Sequence, residues 1–436
     1  MGILGVINSD SVIKESVNSA FDADQRLEYG LRFLINEEEI LEFFNYDLPE
    51  LVIINFSDPV INIDEIVAHI RNDKWLLNFG IIGIFSAEKT NEEILLKKYK
   101  TINILTFMEI SLIRTSLRKS LQIIEENYQL IFQREFAKNN ISNDSSGGFT
   151  ITNDLTAAHL YAGIGATILS QRGFISPDNK MFLQSALSEL IVNAIEHGNC
   201  GISFDEKRQA MEKGRSITDL VADKNRDPAV RAKRVDFRWN TQEDRTVFVI
   251  RDEGDGFDVT EYMKKIAGQD PLSLTGRGIR MAAAFSKELK YNDKGNQVDL
   301  TIIHDSSVER EIPVGFSRQQ VVTVKKGDIV LRENEPGDYL YYISSGNYTI
   351  YHNNQKVGIL SPRDIFMGEM AFLLNQKRSA SVHAETAGKL ILLTRKALVD
   401  VIRECPHYGI FLSKLLAKRL VRSNDRNATL VEQIKG

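Results

Sequence analysis

Apolar residues come in short runs separated by helical stretches over the first 112 residues. ILGVI (3–7) precedes ESVNSAF, LRFLI (31–35) precedes EEILEFF, LVIINF (51–56) precedes IDEIVAHI, and FGIIGIF (79–85) precedes NEEILLKKY. Strands alternating with helices predict a doubly wound α/β domain with a parallel sheet. Leu117, Leu121, Ile124, Tyr128 and Ile131 then follow in steps of four, three, four and three. This 3.5-residue repeat suits either a dimerising helix or an amphipathic helix packed on the preceding domain. NNISNDSSGG (139–148) is polar and rich in Gly and Ser, which predicts a flexible linker within a connecting region, 113–148.

The pattern changes twice more. Over 149–306, FTITN, VDFRW, TVFVIRD, LKYN and VDLTII read as strands, and LTAAHLYAGIGATILSQ (155–171) and SALSELIVNAIEHGN (185–199) as helices. Helices segregated from a mainly antiparallel sheet predict an α+β sandwich. The charge-balanced insert 200–234 reads as a solvated cover with no assigned chemistry. Over 307–436, GDIVL, ENEPGDYLYYI, SSGNYTIYH and QKVGIL are short strands with Gly turns, which predict a β-roll. RKALVDVIREC and IFLSKLLAKRL then read as C-terminal helices. The whole is a multidomain chain, and 436 residues suit about three domains.

Composition narrows the partners. A net charge of -5 argues against nucleic acid. Two isolated cysteines, Cys200 and Cys405, give neither a disulfide framework nor a thiolate metal site. MGILGVI lacks the basic start of a signal peptide, and Val6 stands where a myristoylation signal wants Ser or Thr. No apolar run reaches the roughly eighteen residues of a membrane span. The expectation is a cytoplasmic protein with no membrane association.

The chemistry concentrates in 185–199. On a helix, Glu189, Asn193 and His197 recur every four residues and share a stripe, with Leu190, Ile191, Ala194 and Ile195 toward the core. RDEGDGFD (251–258) forms a turn after a strand, and LTGRGIR (274–280) sets two glycines before the helical MAAAFSKEL. In that order, E-x-x-x-N, D-x-G-x-G and G-x-G resemble the N, G1 and G2 boxes of the GHKL ATPases. SELIVNAIEHGN looks most like the anti-sigma-factor serine kinases of bacterial partner-switching systems. The resemblance implies an ATP and Mg²⁺ site: Asn193 on the metal and Asp252 on the adenine amine. Gly254 and Gly256 shape the turn, while Thr275, Gly276, Arg277 and Gly278 lie around the phosphates. Arg277 and Arg280 could add charge or simply be solvated. Glu189 is the candidate catalytic base, or else a water-orienting group. His197 suits a capping bond at the helix end. None of the seven His combines an acidic follower with a place in a dimerisation helix, the setting of a phosphoacceptor.

Two further resemblances flank this domain. The order of residues 1–112 looks like a response-regulator receiver domain. Asn55 or Phe56 stands in the acceptor place, Asn8 and Ser9 follow the first strand, Thr106 lies near the lysine position, and Asp10 and Asp58 fall one turn late. That implies a degenerate receiver used for contacts. FMGEMAFLLNQKRSASVHAET (366–386) resembles the phosphate-binding cassette of cyclic-nucleotide-binding domains, with Met367 in place of the usual Phe. It implies Glu369 on the ribose 2′-OH and Arg378 on the cyclic phosphate. Gly368, Met370, Ala371, Ser379 and Ala380 would complete the cradle, with cAMP favoured and cGMP possible.

These resemblances together imply a cyclic-nucleotide-regulated serine/threonine kinase acting on an antagonist (anti-anti-sigma) protein and a sigma factor, and the 3.5-residue repeat adds the expectation of a homodimer. The rival is a non-catalytic switch whose shape follows ATP and cyclic nucleotide.

Overall fold

The computed structural model describes residues 3–22, 29–73, 77–132, 145–242, 244–259, 286–305 and 312–417. The chain falls into two compact units. The first is 1–34, 51–61 and 79–308; the second is 35–50, 62–78 and 309–436.

The first unit begins with β1 (Ile3–Ile7), β2 (Gly30–Leu34), β3 (Leu51–Asn55), β4 (Gly80–Phe85) and β5 (Ile104–Glu109). They pair in parallel in the order β2-β1-β3-β4-β5, the doubly wound arrangement the alternation predicted. β3 and β4 are buried along their whole length, as a sheet covered on both faces requires. The helices of this stretch are α1 (Ser11–Asp22), α2 (Glu37–Glu42), α3 (Ile63–Asn72), α4 (Glu92–Lys98), α5 (Ile113–Glu126) and α6 (Tyr128–Phe132). α2 and α3 group with the second unit.

At the strand ends, Asn55 donates to Asn8 Oδ1 at 2.9 Å. Asp58 accepts from Ser9 N and Oγ at 2.6 and 2.7 Å and from the amides of Val60 and Ile61. Asp10 takes the first amides of α1. Both carboxylates therefore serve as local caps, and Thr106 is fully buried in β5.

Two expectations about the connecting region need correction. Leu117, Leu121, Ile124 and Ile131 are fully buried in the chain's own core, and α5 stops at Glu126. Four of the five stripe residues are thus covered within the chain, which favours the packed-helix alternative over the dimerising one. The Gly/Ser run is also not all linker. β6 (Ser145–Ile151) pairs antiparallel with β7 (Val235–Thr241) from Ser145 onward. The glycine is there for packing: a Cβ on Gly147 would lie 2.2 Å from the Trp239 ring.

β8 (Arg245–Arg251), β9 (Glu288–Tyr291) and β10 (Gln297–Ile303) complete an antiparallel sheet, ordered β6-β7-β8-β10-β9. The end of the predicted helix MAAAFSKEL is therefore strand at Glu288 and Leu289. α7 (Leu155–Gln171) and α8 (Pro177–Asn193) supply the apolar layer. Ser176 caps α8 by accepting from Asn179 N, with Pro177 at its first turn. The insert is three short helices, α9 (Phe204–Glu212), α10 (Ile217–Lys224) and α11 (Pro228–Ala232). It buries Ala210, Leu220 and Val221, so it is more than a solvated cover.

The second unit contains the roll. β11 (Gln320–Val324), β12 (Ile329–Leu331), β13 (Tyr339–Ile343), β14 (Tyr348–His352), β15 (Gln355–Leu360), β16 (Phe366–Met367), β17 (Ser381–Ala384) and β18 (Gly388–Thr394) form two four-stranded sheets. α12 (Glu369–Leu374) sits between β16 and β17, and α13 (Arg395–Glu404) follows β18, before a helix over 407–417. Met367 is fully buried, so its departure from Phe falls on an apolar wall. No helix among the described residues is long and apolar enough to cross a membrane.

Candidate nucleotide sites

α8 ends at Asn193, and a π-helical turn, Ala194–Asn199, continues it. Glu189 and Asn193 lie one turn apart, both partly exposed, and neither side chain has a hydrogen-bond partner among the described residues. The π turn shifts the register beyond Asn193. His197 therefore leaves the predicted stripe: its Nδ1 lies 2.6 Å from Ile202 O and its ring packs on Phe204. The bond goes to the insert rather than to the helix's own last carbonyls.

The D-x-G-x-G turn follows β8. Asp252 is 8% exposed, and its Oδ1 accepts from Gly254 N at 2.8 Å. Burial raises its pKa above the usual carboxylate value, opposed by that amide. The backbone is clamped by Asn296, whose Nδ2 donates to Asp252 O at 3.0 Å. Lys294 Nζ donates to Gly254 O at 2.9 Å, and Gly256 adopts φ 82° beside Lys294 O. A Cβ on Gly198 would sit 2.4 Å from Asp252 Cγ, and one on Gly254 would sit 2.4 Å from Gly198 O. These two glycines let the end of the helix and the turn meet. The cradle and its oxygen donors fit a nucleotide with Mg²⁺, a hard cation. Thr275, Gly276, Arg277, Gly278 and Arg280 lie outside the described residues.

In the roll, Arg378 is 4% exposed. Its Nη1 donates to Gly368 O at 2.7 Å and its Nη2 to Tyr339 O. Its own backbone is tied down, with Arg378 N donating to Glu335 O and Asn334 N donating to Arg378 O. Glu369 opens α12 and is partly exposed, Ala371 is buried, and Met370 and Ser379 are exposed. His352 Nδ1 lies 2.8 Å from Ser379 O and 3.0 Å from Glu333 Oε1. Gly368 and Glu369 thus lie by the Arg378 guanidinium, and Ser379 and Ala380 follow it in the chain, a donor set that fits a cyclic phosphate and a ribose.

Residues 153–302 match the histidine kinase-like ATPase domain family. Residues 321–405 match the cyclic nucleotide-binding domain family. Over 79 residues, 18% of the chain, the sequence is 38% identical to the cAMP-dependent protein kinase type II regulatory subunit of Drosophila melanogaster, 21% of which it covers. Over 117 residues it is 32% identical to a CRP-like cAMP-activated global transcriptional regulator of Mycobacterium tuberculosis, covering 26% of this chain and 52% of that one. A solved catabolite activator protein from Thermus thermophilus shares 27% identity over 27% of this chain and 57% of its own, with a TM-score of 0.25. The chain spans about a fifth to a half of these curated relatives.

Several residues that hold the ATPase-domain site were not singled out from the sequence. Asn199 donates to Asn153 Oδ1 at 2.9 Å and accepts from Glu253 N at 2.9 Å, and Asn153 reaches Asn225 and Val230 O in the insert. Glu196 is buried against Lys207 of α9 at 2.6 Å. The signal available was the EHGN tail, whose polar residues are too many for a helix end facing the core.

Proposed function

We propose that the chain is a cyclic-nucleotide-regulated serine/threonine protein kinase of the anti-sigma-factor type. It would bind Mg·ATP and phosphorylate or sequester a small antagonist protein, releasing or holding a sigma factor. The observation that carries this reading is the pair Glu189 and Asn193, one turn apart and without hydrogen-bond partners among the described residues, on the helix whose π-helical continuation meets the Asp252 turn through Gly198. Asn193 would offer its carboxamide oxygen to Mg²⁺, which neutralises the triphosphate when bound. Asp252 would accept from the adenine amine, and Glu189 would take the proton from the acceptor hydroxyl.

Arg378 would hold the cyclic phosphate and Glu369 the ribose 2′-OH. Relatives named for cAMP and for cGMP both match this region; Ser379 can bond either phosphate or guanine, which leaves cAMP favoured and cGMP possible. The N-terminal domain fits a receiver-like fold without phosphoryl chemistry, given its strand order and Asn55 at the end of β3.

The test is capture of partners on the full chain with Mg·ATP, followed by phosphosite mapping. A phosphorylated Ser or Thr on a captured small protein, lost in Asn193→Ala, supports the kinase. Nucleotide-dependent capture with no phosphosite supports the non-catalytic switch.

A further inference from the structure

α8 carries a second polar stripe. Lys180, Gln184 and Ser188 recur every four residues, and Lys180 lies about 180° around the helix from Glu189 at 3.6 residues per turn. β5 is the last strand of its sheet, so its outer edge presents unpaired carbonyls. α8 supplies the missing donors. Lys180 Nζ lies 2.6 Å from Asn103 Oδ1 and 3.5 Å from Ile104 O, and Gln184 Nε2 donates to Leu105 O at 3.3 Å. α7 closes on the same carbonyl through Gly163, where a Cβ would lie 1.8 Å from Leu105 O. At the far end of the stripe, Ser188 Oγ lies 2.6 Å from His159 Nδ1 on α7, itself 3.8 Å from Glu92 Oε2 on α4.

We infer that this stripe makes the N-terminal sheet a working part of the ATPase domain: Lys180 and Gln184 fix the axial position of α8 and so position Glu189 and Asn193. Both are positioning residues, and the inference rests on the reading of Glu189 and Asn193 given above. The Lys180 amine is almost sealed from water in a largely apolar site. Lys180 is 7% exposed, among Leu96, Tyr99, Ile102, Ile104 and Met181. The other titratable groups there are Tyr99 and Lys100, from the segment before β5, and Asp178, from the first turn of α8. Lys100 and Asp178 pair with each other at 3.0 Å. Asn103 Nδ2 has no hydrogen-bond partner among the described residues, and the lysine holds that side chain through its Oδ1.

Burial pushes the Lys180 amine down to about 7, below its value in the unfolded chain. Between these values the unfolded chain holds the extra proton, so stability of the dock rises with pH from about 7 upward. Near and below 7 the ammonium forms and seeks water, loosening α8.

The experiment uses the full chain, with Mg·ATP affinity from calorimetry and amide exchange at 103–107 and 180–189. The wild type should gain about fivefold in ATP affinity from pH 6 to 8, and Lys180→Met should be flat over that range. Lys180→Met/Gln184→Leu should exchange about tenfold faster at both segments and bind ATP about tenfold more weakly. Faster exchange with unchanged ATP affinity, or an equal pH response in wild type and Lys180→Met, overturns the positioning role. Unchanged exchange in the double variant overturns the dock itself. A wild type that binds no ATP removes the nucleotide reading and, with it, any positioning role for Lys180 and Gln184, while exchange still decides the dock.

Discussion

The chain's two nucleotide-binding regions are built in opposite ways. In the ATPase domain the rigidity lies in the backbone of the turn, held by Asn296, Lys294 and the Gly198–Gly254 approach. The side chains assigned to chemistry, Glu189 and Asn193, carry no structural bond among the described residues. In the roll the side chain assigned to the ligand is itself structural. Arg378 satisfies two carbonyls, Gly368 O and Tyr339 O, and a cyclic phosphate bound there as proposed would have to replace them. The difference says where mutation separates folding from function: readily in the first site, and with difficulty in the second.

The largest separation should come from Glu189→Ala. With a confirmed partner, phosphotransfer should fall by about 10²–10⁴-fold while Mg·ATP affinity and thermal stability stay near wild type. Unchanged transfer in a rapid-quench assay would make Glu189 a spectator. Arg378→Leu should show the reverse coupling of effects. Leaving two carbonyls without their charged donor and the phosphate without its partner is expected to cost about 3–5 kcal/mol. Cyclic nucleotide affinity should then drop by more than about a hundredfold, with a lower melting temperature of the roll. If calorimetry shows lost binding with unchanged melting, Arg378 is not structural and the contrast between the sites collapses.

Asp252 sharpens the comparison at smaller scale. Burial raises its pKa in the folded chain above the unfolded value. A carboxyl raised in this way contributes stability below its unfolded pKa and loses it as pH rises through the folded one. At neutral pH the charge is thus a burden on the fold. Asp252→Asn should leave melting at pH 7 unchanged or higher, yet weaken ATP binding by about tenfold to a hundredfold, from about 1.5–3 kcal/mol. The ATP affinity of the wild type should also begin to fall on acidification above the ordinary carboxylate range. A lower melting temperature with intact ATP binding would assign Asp252 to the fold alone.

What was legible in the sequence follows the same divide. Local periodicity gave the alternating strands and helices and the Glu189–Asn193 stripe, and a short motif carried the resemblance to the cassette, because each is decided within a few residues. Contacts made through space were not visible. The Gly147 tract reads as linker until Trp239, far along the chain, is seen to need the room. Over two heptads a 3.5-residue repeat cannot be told from 3.6, so Leu117 and Leu121 read equally as dimer seam or internal core; burial decided for the core. The π turn moved His197 off its stripe, a shift that spacing alone cannot show. Lys180 and Gln184 were missed because the partners of their stripe, Asn103 to Leu105, belong to another sheet.

Whether the two sites communicate is the last test of the contrast. If phosphate replaces Gly368 O and Tyr339 O at Arg378, the start of α12 and β13 must adjust. Phe372 of α12 shares one core with Phe366, Leu398, Val401, Tyr408 and Phe316. Phe316 lies in the 3₁₀ turn Val314–Phe316, close in sequence to the end of β10 at Ile303, and Gly315 N donates to Tyr408 OH at 3.3 Å. A packed core that rearranges as a unit can carry such a change as far as Phe316. Saturating cAMP is therefore expected to change ATP affinity or phosphotransfer by about 1–3 kcal/mol. If the effect is on binding, ATP must change cAMP affinity by the same factor, which paired calorimetric titrations check. Phe316→Ala should reduce the coupling while leaving each separate affinity near wild type. Equal ATP affinity and phosphotransfer with and without both cyclic nucleotides would make the roll a scaffold, and the inward-turned Arg378 a purely structural residue.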